Sequence, residues 1–321
     1  MIKDISKYRR DGCLIEPTPS AAPTLQASAQ GGLPDRVDLR GLCSPVENQG
    51  HVGSCTANAT VGALEYHMRL AKQPMTDLSR LFVYYNARRM ARRESEDCGS
   101  FISHVMASVM AFGACPEQMW PYVEAMWPTE PTQACYQAAG NFTGISYARV
   151  GRGLGMKVAL ANGLPVVFGI VLPDEMLMIE GNMTGRIQRP AGQFPPPGNG
   201  GHAMLVVGYD DASQSWLVRN SWGESYGEAG YVWIDYQVMD AYSDAHEFWT
   251  IGAIEGRPGL SLIGPSVHQT MQQAQQQAPQ QVTSVLNAMR QALGKDLSSS
   301  LEQKRQGIRE RLRGPGAGGG Y

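Results

Sequence analysis

Apolar or small residues recur at Ala57, Val61, Leu64 and Met68, and this spacing of three to four predicts a helix over 54–71. A second helix is predicted over 79–92, with Ser79 as its N-cap and Leu81, Phe82, Tyr85 and Met90 near one face. A third is predicted over 103–111. The pattern then changes. Runs at 165–171, 203–209, 215–219 and 230–234 are short, rich in β-branched and aromatic residues, and bounded by Gly, Asp or Asn, which predicts strands. A helical first half facing a strand-rich second half predicts an α+β fold of two lobes, with a cleft between them where sites commonly sit.

The ends read differently. Residues 1–34 begin polar and basic and continue through Pro17, Pro19 and Pro23 among Ala, Ser, Gln and Gly, predicting an extended N-terminal arm with no core of its own. Residues 35–258 form the body. The stretch 259–321 is rich in Gln and then Gly, with Val285, Leu286, Met289, Leu293 and Ile308 spaced among polar positions. It predicts a flexible tail with one weakly amphipathic helix over 282–313.

Composition narrows the function classes. Of 321 residues, 43% are apolar and 17% charged, with a net charge of −2. Such a chain has no global basic field to draw it onto nucleic acid or an anionic membrane. No run reaches the roughly 18 apolar residues of a membrane span, and the polar start lacks the apolar core of a Sec signal. The six cysteines, Cys13, Cys43, Cys55, Cys98, Cys115 and Cys135, show no CxxC and no metal-ligand spacing, so a structural zinc site is not expected. Free thiols are the expectation, with one or two disulfides as the alternative.

A cysteine acts as a nucleophile only as its thiolate, and an ordinary thiol at a pKa of ~8.5 is mostly protonated at neutral pH. A helix N-terminus and an adjacent imidazolium both stabilise the thiolate. Gly53-Ser54-Cys55 opens the first predicted helix and offers the first of these. Gln49 carries an amide that, with the Cys55 backbone N–H, could form a two-donor oxyanion hole. His202 begins one predicted strand and Asn220 follows another. If the two strands pair as a hairpin, both side chains reach one end of the sheet and Asn220 fixes the imidazole tautomer, with Trp222 shielding that bond from water. His51 and His246 lack this context as bases. Asp210-Asp211 reads as a turn.

Gln49-Gly50-His51-Val52-Gly53-Ser54-Cys55, Gly201-His202-Ala203 and Asn220-Ser221-Trp222-Gly223 together resemble the three signature blocks of the papain and cathepsin peptidases. His202 and Asn220 lie 147 and 165 positions beyond Cys55, the second somewhat more than the roughly 130–150 usual in that family. The resemblance covers about residues 34–255 and also takes in Val37-Asp38-Leu39-Arg40 and Trp120-Pro121-Tyr122. It implies a papain-like two-lobe fold and a Cys55, His202, Asn220 and Gln49 site that hydrolyses peptide or protein substrates without metal or organic cofactor. It also implies substrate contacts at Gly99, Ser100, Ala203 and Trp222. Val52 and Thr56 depart from the family's usual Cys and aromatic, and Ser100 stands for a second glycine. The family's disulfide at Val52 therefore cannot form, leaving Cys98 free. A long prosegment before the body is not expected, and with the reduced cysteine framework this resembles bacterial members. Relatives cover their cleft with a prosegment, so the arm is expected to lie across the site and restrain it. The same Cys–His pair would also suit an acyl transferase or deamidase, and a non-enzymatic adaptor acting through the tail is the remaining alternative.

Overall fold

The computed structural model describes residues 9–18, 22, 24, 25, 32–141 and 144–254. The predicted tail, with its helix, lies outside them. The helices are α1 (Cys55–Leu70), α2 (Arg80–Met90), α3 (Ile102–Phe112), α4 (Gln133–Ala139), α5 (Leu154–Ala161), α6 (Gly181–Thr184) and α7 (Tyr236–Tyr242). The strands are β1 (Cys13–Leu14), β2 (Arg36–Asp38), β3 (Ser100–Phe101), β4 (Gly144–Arg149), β5 (Val166–Ile170), β6 (Arg186–Ile187), β7 (His202–Asp210), β8 (Ser215–Arg219), β9 (Tyr231–Asp235) and β10 (Phe248–Ile254). Seven strands form one sheet in the order β4-β10-β5-β7-β8-β9-β6, with β2 joined to β7, while β1 and β3 pair separately. This is an α+β architecture, as the residue pattern predicts.

The long strands read as unbroken apolar runs because both faces of the sheet are covered. Along β7, Ala203, Leu205 and Val207 belong to the core shared with the first three helices. Met204 and Val206 belong to a second core on the opposite face, with residues of α5 and α7. Pairing with β8 then slips between Val206 and Gly208, so Tyr209 joins Met204 and Val206 in the second core. One inserted residue thus reverses the alternation. At Gly208 the edge strand β2 comes so close that a Cβ would lie 2.2 Å from the Val37 carbonyl oxygen. Gly208→Ala is therefore expected to cost about 1–3 kcal/mol in a urea melt.

The predicted first helix is real, but its environment is not a stripe. Every residue of α1 from Cys55 through Met68 is buried, because the helix runs between α2 and α3 on one side and the sheet on the other. A helix covered all round needs its polar side chains satisfied. Asn58 donates to the Ser54 carbonyl at 3.0 Å, and Glu65 accepts the Leu78 N–H at 2.9 Å. Burial still pushes the Glu65 carboxyl up to about 7. Ser79 caps α2 by accepting the Phe82 N–H, as its sequence position predicts. None of the six cysteines is bridged.

Candidate active site

Cys55 is the first residue of α1, and the Ser54 side chain does not cap that end. The Ser54 hydroxyl is instead 2.6 Å from the Tyr122 hydroxyl and accepts from Asn58 at 3.0 Å. The N–H groups of the first helical turn are thus not taken up by a side-chain cap. β7 delivers His202 from the facing sheet, and the Ala203 N–H donates to Cys55 Sγ at 3.4 Å. The predicted hairpin exists: β7 and β8 pair antiparallel, and Asn220 follows β8 directly. His202 Nε2 lies 2.8 Å from Asn220 Oδ1. The other ring nitrogen, Nδ1, is buried without a hydrogen-bond partner.

Trp222 stacks on the His202 ring, centroids 4.7 Å apart, and is itself braced edge-on by Tyr226. Water is therefore kept from the imidazole face and from its bond to Asn220. The Gln49 loop is tied to the same corner by the Gln49 N–H donating to the Ser221 carbonyl at 2.8 Å. The Gln49 side chain accepts from the Ser221 hydroxyl at 2.6 Å and donates to the Val52 carbonyl at 3.0 Å. An amide nitrogen carries two N–H bonds, so one remains for an incoming oxygen.

Two departures from the family pattern meet each other. The Thr56 and Ser100 hydroxyls are 2.6 Å apart and buried, so each satisfies the other beneath the cleft floor. Tyr122 does more than pack: its hydroxyl donates to the Gln49 carbonyl at 2.8 Å and meets Ser54, fixing the loop between them. Asp210 closes the β7–β8 turn by accepting the Ala212 N–H at 2.9 Å. His51 is exposed, and His246 Nε2 is 2.9 Å from the Glu16 carbonyl.

Residues 9–16 of the arm run through this site. Trp222 Nε1 donates to the Arg9 carbonyl at 3.2 Å, and the Arg9 guanidinium pairs with Asp97 and, at 2.6 Å, with Asp11. Arg10 pairs with Asp174. The Ser100 N–H donates to the Gly12 carbonyl at 3.0 Å and the Cys13 N–H to the Gly201 carbonyl at 2.9 Å. β1 thereby lies parallel to β3 and bridges antiparallel to Gly201. The passage is built of glycines: a Cβ on Gly12 would sit 2.5 Å from the Gly53 oxygen, and one on Gly201 2.3 Å from the Cys13 oxygen. Gly53 and the Gly200-Gly201 pair lie far apart in the sequence, and the arm brings them to one purpose by passing against both.

The covering sets the electrostatics. Burial pushes the Cys55 thiol up to about 12, against the lowering by the Ala203 and Thr56 N–H groups. Burial also holds His202 down at about 4, against the Asn220 bond. With the arm in place the two are a neutral thiol and a neutral imidazole. Asn220→Ala is expected to lower kcat by about tenfold to a hundredfold with little change in KM, because it frees the ring without touching substrate. Steady-state kinetics separate the two parameters.

The family described as papain family cysteine protease matches residues 33–248. The chain is 31% identical over 218 residues to an uncharacterized peptidase C1-like protein of Acanthamoeba polyphaga mimivirus, covering 64% of this chain and 68% of that one. It is 27% identical to cysteine proteinase 2 of Zea mays, of which it spans 56%. Among solved structures, xylellain, a cysteine protease from Xylella fastidiosa, is similar with a TM-score of 0.66 and 32% identity. That match covers 76% of this chain and 97% of the other. A digestive procathepsin of the Tenebrio molitor larval midgut shares the fold at a TM-score of 0.61 and 21% identity, over 75% and 77% of the two chains.

Proposed function

We propose, from the premise that this chain belongs to the papain family of cysteine proteases and is a cysteine-type peptidase, that Cys55, His202, Asn220 and Gln49 carry its chemistry and that the N-terminal arm restrains it. The observation that carries this reading is the convergence of a helix-opening cysteine on a histidine oriented by Asn220. The Cys55 thiolate attacks a peptide carbonyl, and the Cys55 backbone N–H and the free Gln49 N–H hold the oxyanion. His202 Nδ1 takes the thiol proton and returns it to the leaving amine. Water, activated by the same imidazole, then releases the acyl-enzyme. Gly99, Ser100 and Ala203 contribute backbone to the cleft, and Trp222 closes it above the imidazole.

The restraint is supported by the course of residues 9–16. The arm carbonyls of Arg9, Gly12 and Glu16 are bonded to Trp222, Ser100 and His246, and neither Gln49 nor the Cys55 N–H is among their partners. The segment fills the cleft without offering a scissile carbonyl to the nucleophile, so it acts as a cover and not as a substrate. On this reading the arm of residues 1–34 covers the cleft through residues 9–16, and 35–258 is the peptidase body.

The test is a panel of peptides, free glutamine and peptides with added amine, assayed with the full chain before and after alkylation of Cys55. Peptide cleavage that is lost with Cys55 modification is the expected result. Ammonia from glutamine without peptide cleavage would make the protein a deamidase, and amine capture in place of hydrolysis would make it a transferase. A Cys55→Ala chain with undiminished biological effect would point to an adaptor.

A further inference from the structure

Asp97 is an acid beside the nucleophile loop that the reaction above does not use. Its Oδ1 accepts the Gly53 N–H at 3.0 Å and the Tyr84 hydroxyl at 2.5 Å. The Tyr84 oxygen accepts in turn the Gly99 N–H at 3.0 Å. One carboxylate oxygen thus joins the residue two before Cys55 to the residue just before β3, where the Ser100 N–H now meets the Gly12 carbonyl of the arm.

The fold aims Asp97 at this junction. Arg88 of α2 donates to the Glu94 and Glu96 carbonyls at 2.8 and 2.7 Å, and its guanidinium lies over the Tyr84 ring, 4.0 Å from the centroid. Helix and loop therefore meet at a fixed spacing. Tyr84 is fully buried. Burial and the Asp97 carboxylate push its phenol up, which keeps the hydroxyl a donor toward Asp97. Gly53 puts no side chain in the way: a Cβ there would lie 3.1 Å from both Asp97 Oδ1 and the Tyr84 oxygen, and 3.3 Å from Arg9 Cζ.

The loop before Cys55 is held from two sides. On one, the Val52 carbonyl accepts from the Gln49 amide at 3.0 Å and from the Ser54 N–H at 2.8 Å. On the other, the Gly53 N–H meets Asp97. None of the cysteines is bridged, so the tie on this second side is made by hydrogen bonds alone. The rest of Asp97 serves the cover: its Oδ2 and, at 2.7 Å, its carbonyl accept from Arg9. That half is given up when the arm leaves. The Oδ1 half lies wholly within the peptidase body and stays.

We propose that Asp97 is a positioning residue for the reaction: through Gly53 it fixes the backbone that carries the Cys55 thiol and N–H, and through Tyr84 and Gly99 it fixes the cleft floor. The proposal rests on the reading of Cys55 as the nucleophile. Asp97 acts as a hydrogen-bond acceptor at Oδ1, and its charge is not what the role requires. A small shift of the oxyanion donor is felt in the transition state more than in the bound substrate, so loss of the Gly53 bond falls on kcat. A shift of the floor at Gly99 and Ser100 is felt by the bound substrate, so loss of the Tyr84 bond falls on KM.

The test uses the full-length chain carrying Gly12→Val, in which the arm has released Asp97, with steady-state kinetics on a peptide and amide hydrogen exchange read at Gly53 and Gly99. Asp97→Ala is expected to lower kcat by about 10- to 100-fold, with KM within about threefold of the parent, and to speed exchange at Gly53. Asp97→Asn, which keeps an acceptor at Oδ1, should bring kcat back to within about threefold. Tyr84→Phe, which keeps the Gly53 bond and removes the acceptor of Gly99, should instead raise KM by about three- to tenfold. A kcat for Asp97→Ala within about twofold of the parent would overturn the proposal, as would an Asn chain as slow as the Ala chain. Losses that fall on kcat and KM alike and follow the melting temperatures would make Asp97 merely structural. Should the alanine chain not fold, the Asn and Phe chains decide by the same criteria. If the parent cleaves no peptide, or cleavage survives alkylation of Cys55, the catalytic reading fails. Exchange then decides the positioning by itself: faster at Gly53 in Asp97→Ala but not in Asp97→Asn supports it, and equally slow in all three chains overturns it.

Discussion

Cys55→Ala is expected to lower peptide hydrolysis by about five orders of magnitude or more, the scale seen when the nucleophile of an acyl-transfer site is deleted. The site offers no substitute. The next thiol in the cleft, Cys13, is pushed well above the ordinary range by burial and by the neighbouring Cys55 and Glu247. Cys98, the least buried cysteine, has its Sγ 3.4 Å from the Gly99 carbonyl, not beside His202. Alanine at position 55 removes one sulfur from a closely packed helix start, so the melting temperature should change by only a few degrees. Residual hydrolysis within tenfold of wild type, measured on one preparation with its melt, would remove Cys55 from the reaction.

The second large effect is a gain. Gly12→Val places branched carbons where even a Cβ would lie 2.5 Å from the Gly53 carbonyl oxygen. The clash is with backbone that precedes the nucleophile by two residues and cannot step aside cheaply. The arm must leave instead, and alkylation of Cys55 at pH 7 should quicken by about 30- to 100-fold, corresponding to about 2–3 kcal/mol taken from the closed state. The pH profile supplies the sign. Burial raises the thiol to about 12 and lowers the imidazole to about 4, so in the covered protein thiolate appears only in strong alkali. Opening the cleft restores water to both groups. The thiolate then forms at lower pH, helped by the Ala203 and Thr56 N–H groups and by a protonated His202, and the alkylation midpoint moves toward neutrality. An unchanged rate and midpoint in Gly12→Val would show that the arm does not govern access.

The sequence carried some of these features openly and hid others, for a physical reason. Cys55, His202 and Asn220 could be placed because each stands at the end of an element whose period is visible, so chemistry and local structure point to the same positions. β7 and β8 could be paired because only five residues separate the two runs, 203–209 and 215–219. The path of the arm left no such trace. Its pairing with Ser100 and Gly201 spans about 90 and 190 positions and involves two residues of β1, too short for any period. The bulge after Val206, the Thr56–Ser100 contact and the reach of Tyr122 to Gln49 are likewise agreements between distant residues. The extended composition of residues 1–34 predicts no core of their own, but what residues 9–16 lie against is decided by the rest of the chain.

The arm is also fastened beyond the cleft, where the Leu25 N–H donates to the Arg149 carbonyl at 2.7 Å and β2 joins β7. If the arm restrains the site as proposed, so short a tether holds it there at an effective concentration on the order of millimolar, whatever the concentration of the protein. Dilution alone would then never switch the enzyme on, and a free peptide copied from residues 9–16 would inhibit feebly in solution. A single nick anywhere in 17–24 would turn the same contacts into an encounter between two molecules, and the cover would be lost by simple mass action.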